Sequence, residues 1–186
     1  VVPNLDGDIT GIFTGNWITA WLKATQLVDE IFGVAIQEQA DIVIASAGGY
    51  PKDINLYQSQ KTIDNAVYAM KKGGIAIILA DCPDIKEPGE FFDWFNHPSA
   101  FEMEKAVREN FLISGWVAVR ELEYANLGLI ILVTQEKNIE VSKNAGVLGV
   151  ATMEEALKIA YERCGCDAPK FTIMPQGANT FPILEA

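Results

Sequence analysis

The sequence has a single histidine, His97, among its 186 residues. A catalytic zinc site usually needs several imidazole ligands, and two-base proton transfer needs two acceptors. Either chemistry would therefore have to use groups outside these residues. Because His97 lies in the run Asn96-His97-Pro98-Ser99, just before a predicted helix, we expect it in a loop or a helix cap.

Basic residues are also scarce, with 14 Lys and Arg against 25 Asp and Glu and a formal charge of -11. A surface this negative repels phosphate backbones, so we expect no nucleic-acid partner. No apolar run reaches the roughly 18–20 residues that a membrane span requires. We therefore expect no membrane contact.

Only three cysteines are present, Cys82, Cys164 and Cys166, without the spacing of a disulfide framework. This pattern favours a reducing compartment and predicts a cytoplasmic protein. Cys164 and Cys166, one residue apart, are a candidate redox or metal pair, but no further ligand types stand nearby. We favour the end of a helix for this pair.

Hydrophobic residues make up 49% of the chain, enough for one sizeable core. Apolar runs of strand length alternate with segments of helical periodicity. We predict strands at 41–45, 75–80, 127–133 and 171–174, and helices at 17–32, 56–72, 88–95, 99–111, 115–123, 141–146 and 152–163. The predicted fold class is α/β: three layers, with a largely parallel or mixed sheet and helices on both faces.

We treat residues 1–186 as a single α/β domain with a hairpin over 1–15 and a closing loop over 175–186. The hairpin prediction depends on the turn signal Asn4-Leu5-Asp6-Gly7. Since Val1-Val2-Pro3 resembles the end of a strand, we expect the chain to be a piece of a longer protein.

Residues 46–61, with the sequence SAGGYPKDINLYQSQK, are the most informative stretch. Gly48-Gly49 follows a strand and could cradle a phosphate, but the nucleotide-binding glycine fingerprints are incomplete. Gln58 and Lys61 share one face of the next helix, beside Tyr57. An ammonium and an amide suit a small carboxylate, whereas the residue types alone favour a solvated helix face.

Aromatic side chains provide two further candidates. Residues 91–95 contain Phe91, Phe92, Trp94 and Phe95, which indicate either core packing or an exposed lid or interface. Trp116 begins a possible helix, where core packing is the simpler interpretation and the wall of a pocket is the alternative.

Residues 46–61 resemble the signature of the nickel-dependent lactate racemase family, in its C-terminal domain. The segments 11–15, 152–157, 173–177 and 180–182 are similar to other parts of that domain. The resemblance spans nearly the whole chain, and the first motif is the most specific.

The resemblance implies a two-domain isomerase with its active site between the domains. An N-terminal domain would carry a nickel-pincer nucleotide, tethered through a lysine, together with the catalytic histidines. The cofactor would take a hydride from C2 of lactate and return it to either face, while a histidine takes the hydroxyl proton. This chain would then hold neither catalytic nor cofactor-binding residues, and we expect it to be inactive alone.

By the same resemblance, Lys61 and Gln58 would hold the oxygens of lactate or another small 2-hydroxy acid. Tyr57 would shape the pocket and Trp116 would form a further wall. The chain departs from the family pattern near Trp21, where relatives carry a histidine. It also lacks the Gly-His-Lys-like run of relatives near Trp116, so its substrate could differ from lactate.

Two other function classes stay open from the residues. One is a non-catalytic anion- or nucleotide-binding α/β module that uses Gly48-Gly49. The other is an interaction domain that uses the aromatic surface of residues 91–95.

Overall fold

The computed structural model describes residues 1–185 and has an α/β architecture. Nine strands are present in these residues: β1 (Val2–Pro3), β2 (Ile9–Gly11), β3 (Gly33–Ile36), β4 (Ala40–Ser46), β5 (Met70–Leu79), β6 (Leu129–Val133), β7 (Leu148–Val150), β8 (Phe171–Met174) and β9 (Phe181–Leu184). The α-helices are α1 (Trp17–Phe32), α2 (Leu56–Ala69), α3 (Gly89–Asp93), α4 (Ala100–Glu109), α5 (Ile113–Leu127), α6 (Ile139–Lys143) and α7 (Met153–Cys164). Two short 3-10 helices span Trp94–Asn96 and Glu136–Asn138.

The central sheet has five strands in the order β7-β6-β5-β4-β8, and every neighbouring pair is parallel. Continuous apolar strands such as β6 suit a sheet that is buried on both faces. Since all five strands run the same way, their carboxyl ends meet at one edge. The predicted largely parallel sheet is confirmed.

Helices cover both faces of this sheet, so the predicted three layers are also confirmed. On one face, Ile42, Ile77 and Ile131 pack with Ala156 and Ala160 of α7. On the other face, alternate strand residues form a larger core with α2 and α5. Its members include Val43, Ala45, Ala76, Ile78, Ile130, Leu132, Ile63, Ala66 and Ala118. This alternation follows from the two-residue period of a strand.

A second, two-stranded parallel sheet joins β3 with β9, from Gly33 opposite Phe181 to Ile36 opposite Leu184. The prediction of a loop over residues 175–186 was therefore wrong for β9. β3 and β9 have four residues each, which is too few to show a clear hydrophobic period. They lie far apart in the sequence, so only the folded structure brings them together.

The opening hairpin and α1 form an arm on the outside of the domain. β1 and β2 pair antiparallel, as the turn signal predicts. α1 begins at an Asn16 cap, whose side chain accepts from the backbone N–H of Ile18, and ends before Gly33, as predicted. None of its residues is buried, although the sequence gives it an apolar face; Trp17 is 77% and Trp21 61% exposed.

Several predicted boundaries change in the structure. The helix predicted over 56–72 ends at Ala69, and β5 begins at Met70 because Ala40 of the neighbouring strand pairs with Met70. Gly73 and Gly74, just beyond the predicted end of that helix, lie within β5. The short strands β3 and β7 were not predicted. Within residues 1–185, no helix combines the length and the apolar character needed to cross a membrane.

Candidate functional site

α2 carries three of the predicted site residues on its first turns. Asn55 caps the helix, since its side-chain oxygen accepts from the backbone N–H of Gln58 at 2.8 Å. Leu56 and Ile63 point into the core and are fully buried. The 3.6-residue period therefore turns Tyr57, Gln58 and Lys61 toward the outer side of the helix.

α5 lies beside α2 and carries the fourth predicted residue. Each helix leads into a strand of the same parallel sheet, so the two helices run in the same direction. Trp116, near the start of α5, is 52% exposed. Core packing, the simpler interpretation of Trp116 from the sequence, is therefore wrong.

A cavity of about 310 Å³ lies in the groove between α2 and α5. This volume is at the lower end of the usual range for ligand pockets, about 300–1,000 Å³. Its lining residues are Tyr57, Gln58, Gln60, Lys61, Asp64, Trp116, Val117, Arg120 and Tyr124. All four predicted substrate-binding residues thus line one cavity.

Lys61 and Gln58 form what we call the anchor end of this cavity, near Tyr57 and Trp116. The Lys61 ammonium donates to Gln58 Oε1 at 2.6 Å. This bond fixes the orientation of the Gln58 amide and leaves its NH₂ group free to donate to a ligand. Within residues 1–185, no carboxylate lies within 4 Å of Lys61. The anchor end therefore presents one cation without a counter-ion.

Asp64 and Arg120 form what we call the polar end, one helical turn further along the groove. Arg120 Nη2 lies 3.6 Å from Asp64 Oδ1, and Arg120 Nη1 donates to Glu123 at 2.9 Å. The guanidinium also donates to the Tyr124 hydroxyl and lies over its ring, 4.5 Å from the centroid. Burial raises the pKa of Asp64, and the nearby Arg120 charge opposes that rise.

Packing behind the cavity fixes its walls. The Tyr57 ring meets Phe91 edge-on at 5.4 Å, and Phe91 is fully buried between Phe92 and Phe95. Core packing is therefore the correct alternative for Phe91. A Cβ on Gly115 would lie 2.6 Å from Trp94, so only glycine allows α5 to approach that ring closely.

A different cavity, of about 400 Å³, lies at the carboxyl ends of the central strands, where open α/β sheets usually bind ligands. Gly49 lies in its wall, and both Gly48 and Gly49 have positive φ, so a tight turn follows β4. The charged groups of this wall are the carboxylates of Asp53 and Asp81. Two acids are a poor lining for an anion.

His97 follows the 3-10 helix of residues 94–96 and stacks on Trp94 at 5.6 Å, which confirms its loop position. α7 ends at Cys164, and Gly165 takes the left-handed conformation of a helix cap, as expected for Cys164 and Cys166. Among residues 1–185, no three His, Cys, Asp or Glu side chains are grouped closely enough to bind a metal ion.

Four further lining residues were not predicted from the sequence: Gln60, Asp64, Arg120 and Tyr124. Helical spacing could have identified them, because Asp64 is three residues from Lys61 and Arg120 is four from Trp116. That inference requires knowing that α2 and α5 are neighbours, which the sequence does not state.

The chain thus has an α/β fold with a cavity between α2 and α5, whose lining includes a lysine without a carboxylate partner in residues 1–185. Comparison with known proteins identifies its family. The model of the lactate racemase C-terminal domain matches residues 35–181. The chain belongs to this family.

Two curated proteins are similar over almost the whole chain. The lactate racemase of Thermoanaerobacterium thermosaccharolyticum is 34% identical over 96% of this chain, and that of Lactiplantibacillus plantarum is 28% identical over 95%. The chain spans only 43% and 42% of their respective lengths.

Solved structures agree with this assignment. The lactate racemase apoprotein from Thermoanaerobacterium thermosaccharolyticum superimposes with a TM-score of 0.83 at 34% identity, covering 98% of this chain and 45% of that one. A Thermotoga maritima protein, at 13% identity and a TM-score of 0.57, shares the fold; the match covers 90% of this chain and 42% of that one.

Proposed function

We propose that this chain is the substrate-contacting C-terminal domain of a 2-hydroxyacid racemase, with lactate as the reference substrate. The observation that carries the proposal is the convergence of Tyr57, Gln58, Lys61 and Trp116 on one cavity. The family assignment and the two similar lactate racemases support the isomerase activity of a full-length protein.

The anchor end explains how such a domain would contribute to the reaction. Lys61 would pair with the substrate carboxylate, since it has an ammonium but no carboxylate partner in residues 1–185. The free NH₂ of Gln58 would donate to a second substrate oxygen. Tyr57 and Trp116 would limit the rotation of the acid and exclude water. Fixing a substrate in this way lowers the entropic part of the barrier.

The redox chemistry would come from outside this chain. When bound, a nickel-pincer nucleotide would accept the C2 hydride and return it. The described residues include one histidine, which stacks on Trp94 outside the cavity. We therefore propose that the cofactor and the proton-transferring histidines belong to an N-terminal domain of the same protein, in the cytoplasm.

The alternative of a non-catalytic anion- or nucleotide-binding module has less support. Its expected position is the turn at Gly48-Gly49, where Asp53 and Asp81 supply negative charge. An interaction domain based on residues 91–95 is likewise disfavoured, because Phe91, at the centre of that surface, is fully buried.

The proposal can be tested with the cofactor-loaded full-length protein and its Lys61→Ala variant. Loss of a charge-assisted hydrogen bond should lower kcat/KM for lactate by about 10- to 100-fold. Lys105→Ala, on the exposed side of α4, is the matched control and should retain activity.

Unchanged turnover in a folded Lys61→Ala variant would contradict the role of Lys61. The isolated chain should show no racemisation with the cofactor added, because the proton-transferring histidines would be missing. Activity of this chain alone would refute that part of the proposal.

A further inference from the structure

The charges around the cavity are compensated at one end and uncompensated at the other. Arg120 faces two acids, Asp64 and Glu123, so its charge is already neutralised. Lys61 is bonded to the neutral Gln58 amide. The cavity therefore has a counter-charge for one carboxylate, and a second carboxylate near the polar end would meet the negative charge of Asp64.

Asp64 and Arg120 are close together without a direct hydrogen bond, so one hydroxyl group beside them could contact both. Their closest nitrogen and oxygen are 3.6 Å apart, beyond hydrogen-bond distance. Both side chains keep part of their surface exposed, 44% for Asp64 and 32% for Arg120. A hydroxyl group both donates and accepts, so it could donate to the Asp64 carboxylate and accept from the Arg120 guanidinium.

Gln60 adds to the polarity of this part of the cavity. It lines the cavity, is only 8% exposed, and neither of its amide atoms has a hydrogen-bond partner within residues 1–185. Asp64 Oδ1 has none in the same residues. A methyl group packed here would leave these atoms unsatisfied, which is unfavourable for buried polar groups.

We propose that the polar end binds a hydroxyl group on the side chain of the substrate. This proposal rests on the proposed racemase function and refines its substrate class. The preferred substrate is a monocarboxylic 2-hydroxy acid with at least one further hydroxyl group, of which glycerate is the smallest example. Lactate, with a methyl side chain, and malate, with a second carboxylate, would be poorer substrates.

The test uses the cofactor-loaded full-length protein with glycerate, lactate and malate as separate substrates, and measures inversion at C2 by chiral chromatography. We expect kcat/KM to be about tenfold or more higher for glycerate than for either other acid, because a site built for a hydroxyl discriminates against analogues that lack it. Calorimetric titration of the cofactor-free protein should give the same order of affinities.

Variants at Asp64 then test the polar end. Asp64→Ala should bring the ratio of kcat/KM for glycerate to that for lactate down to about one, mainly by raising the KM for glycerate. Asp64→Asn keeps an acceptor oxygen and should retain most of the preference. Asp167→Ala, at an exposed position, is the matched control. Thermal unfolding of each variant establishes that it is folded.

Three results would overturn the inference. If kcat/KM is as high for lactate as for glycerate and depends strongly on Lys61, the hydroxyl subsite is refuted and the racemase proposal stands. A preference for malate would refute the charge argument. An equal loss for all acids in Asp64→Asn and Asp64→Ala would give Asp64 a merely structural role. If no acid is inverted and Lys61→Ala does not affect binding, the proposed function itself fails.

Discussion

Glu121 on α5 is fully buried, and neither of its carboxylate oxygens has a hydrogen-bond partner within residues 1–185. Burial raises its pKa from 4.5 to about 8. Replacing it by glutamine removes the ionisable group and keeps the shape. We predict that Glu121→Gln changes the pH dependence of stability.

The sign follows from proton linkage. Between pH 4.5 and 8, the folded state holds a proton on Glu121 that the unfolded state has released, so the free energy of unfolding falls as the pH rises. At about 1.4 kcal/mol per pKa unit, the rise in pKa corresponds to about 5 kcal/mol, fully lost above pH 8. This is a large part of the stability of a typical domain, about 5–15 kcal/mol.

The assay is urea denaturation of both proteins at several pH values between 4 and 9. The stability of Glu121→Gln relative to the wild type should increase with pH by several kcal/mol and become constant above pH 8. Glu109→Gln makes the same chemical change at an exposed position and should show no such increase. Parallel stability curves for the wild type and Glu121→Gln would refute the reasoning.

Two further predictions concern packing. Gly115→Ala should lower the free energy of unfolding by about 1–3 kcal/mol, because its Cβ would lie 2.6 Å from Trp94. Gly89→Ala is the control, since a Cβ on Gly89 would meet nothing within 4 Å. Equal losses of stability for the two variants in urea denaturation would contradict the close approach of α5 to Trp94. Cys82 is fully buried and its pKa is raised to about 11, mainly by burial, so brief alkylation at pH 8 should modify it only after unfolding. Detection of modified Cys82 in the native protein by mass spectrometry would contradict that prediction.

Local signals predicted much of the fold. The helix predicted over 152–163 is α7, and Thr152 caps it, since its side-chain oxygen accepts from the Glu155 backbone N–H at 3.2 Å. The helix predicted to begin at residue 56 does begin there, after the Asn55 cap. These helix starts depend on residues a few positions apart, so the local sequence is enough to predict them. The predicted end of α2, at residue 72, was wrong because the pairing of Ala40 with Met70 outweighs the local helical pattern.

In the candidate site, too, the local sequence predicts some features, and others depend on contacts between distant segments. Tyr57, Gln58 and Lys61 lie within two turns of one helix, so a single motif contains them. Whether they face a cavity depends on α5, which begins more than 50 residues later. For Trp116, the wall of a pocket was the less favoured alternative, because its apolar neighbours suggest burial. Only the packing of α5 leaves its ring exposed in the cavity.

The order of strands in the central sheet has a consequence for folding kinetics. β4 lies between β5 and β8, and Ile42 of β4 pairs with Phe171 of β8, 129 positions later in the chain. Such distant pairs give a high contact order, which slows folding. During synthesis, β4 is made early but keeps one unpaired edge until β8 has emerged. A chain that ends before β8 would leave the backbone of that β4 edge unpaired and should aggregate.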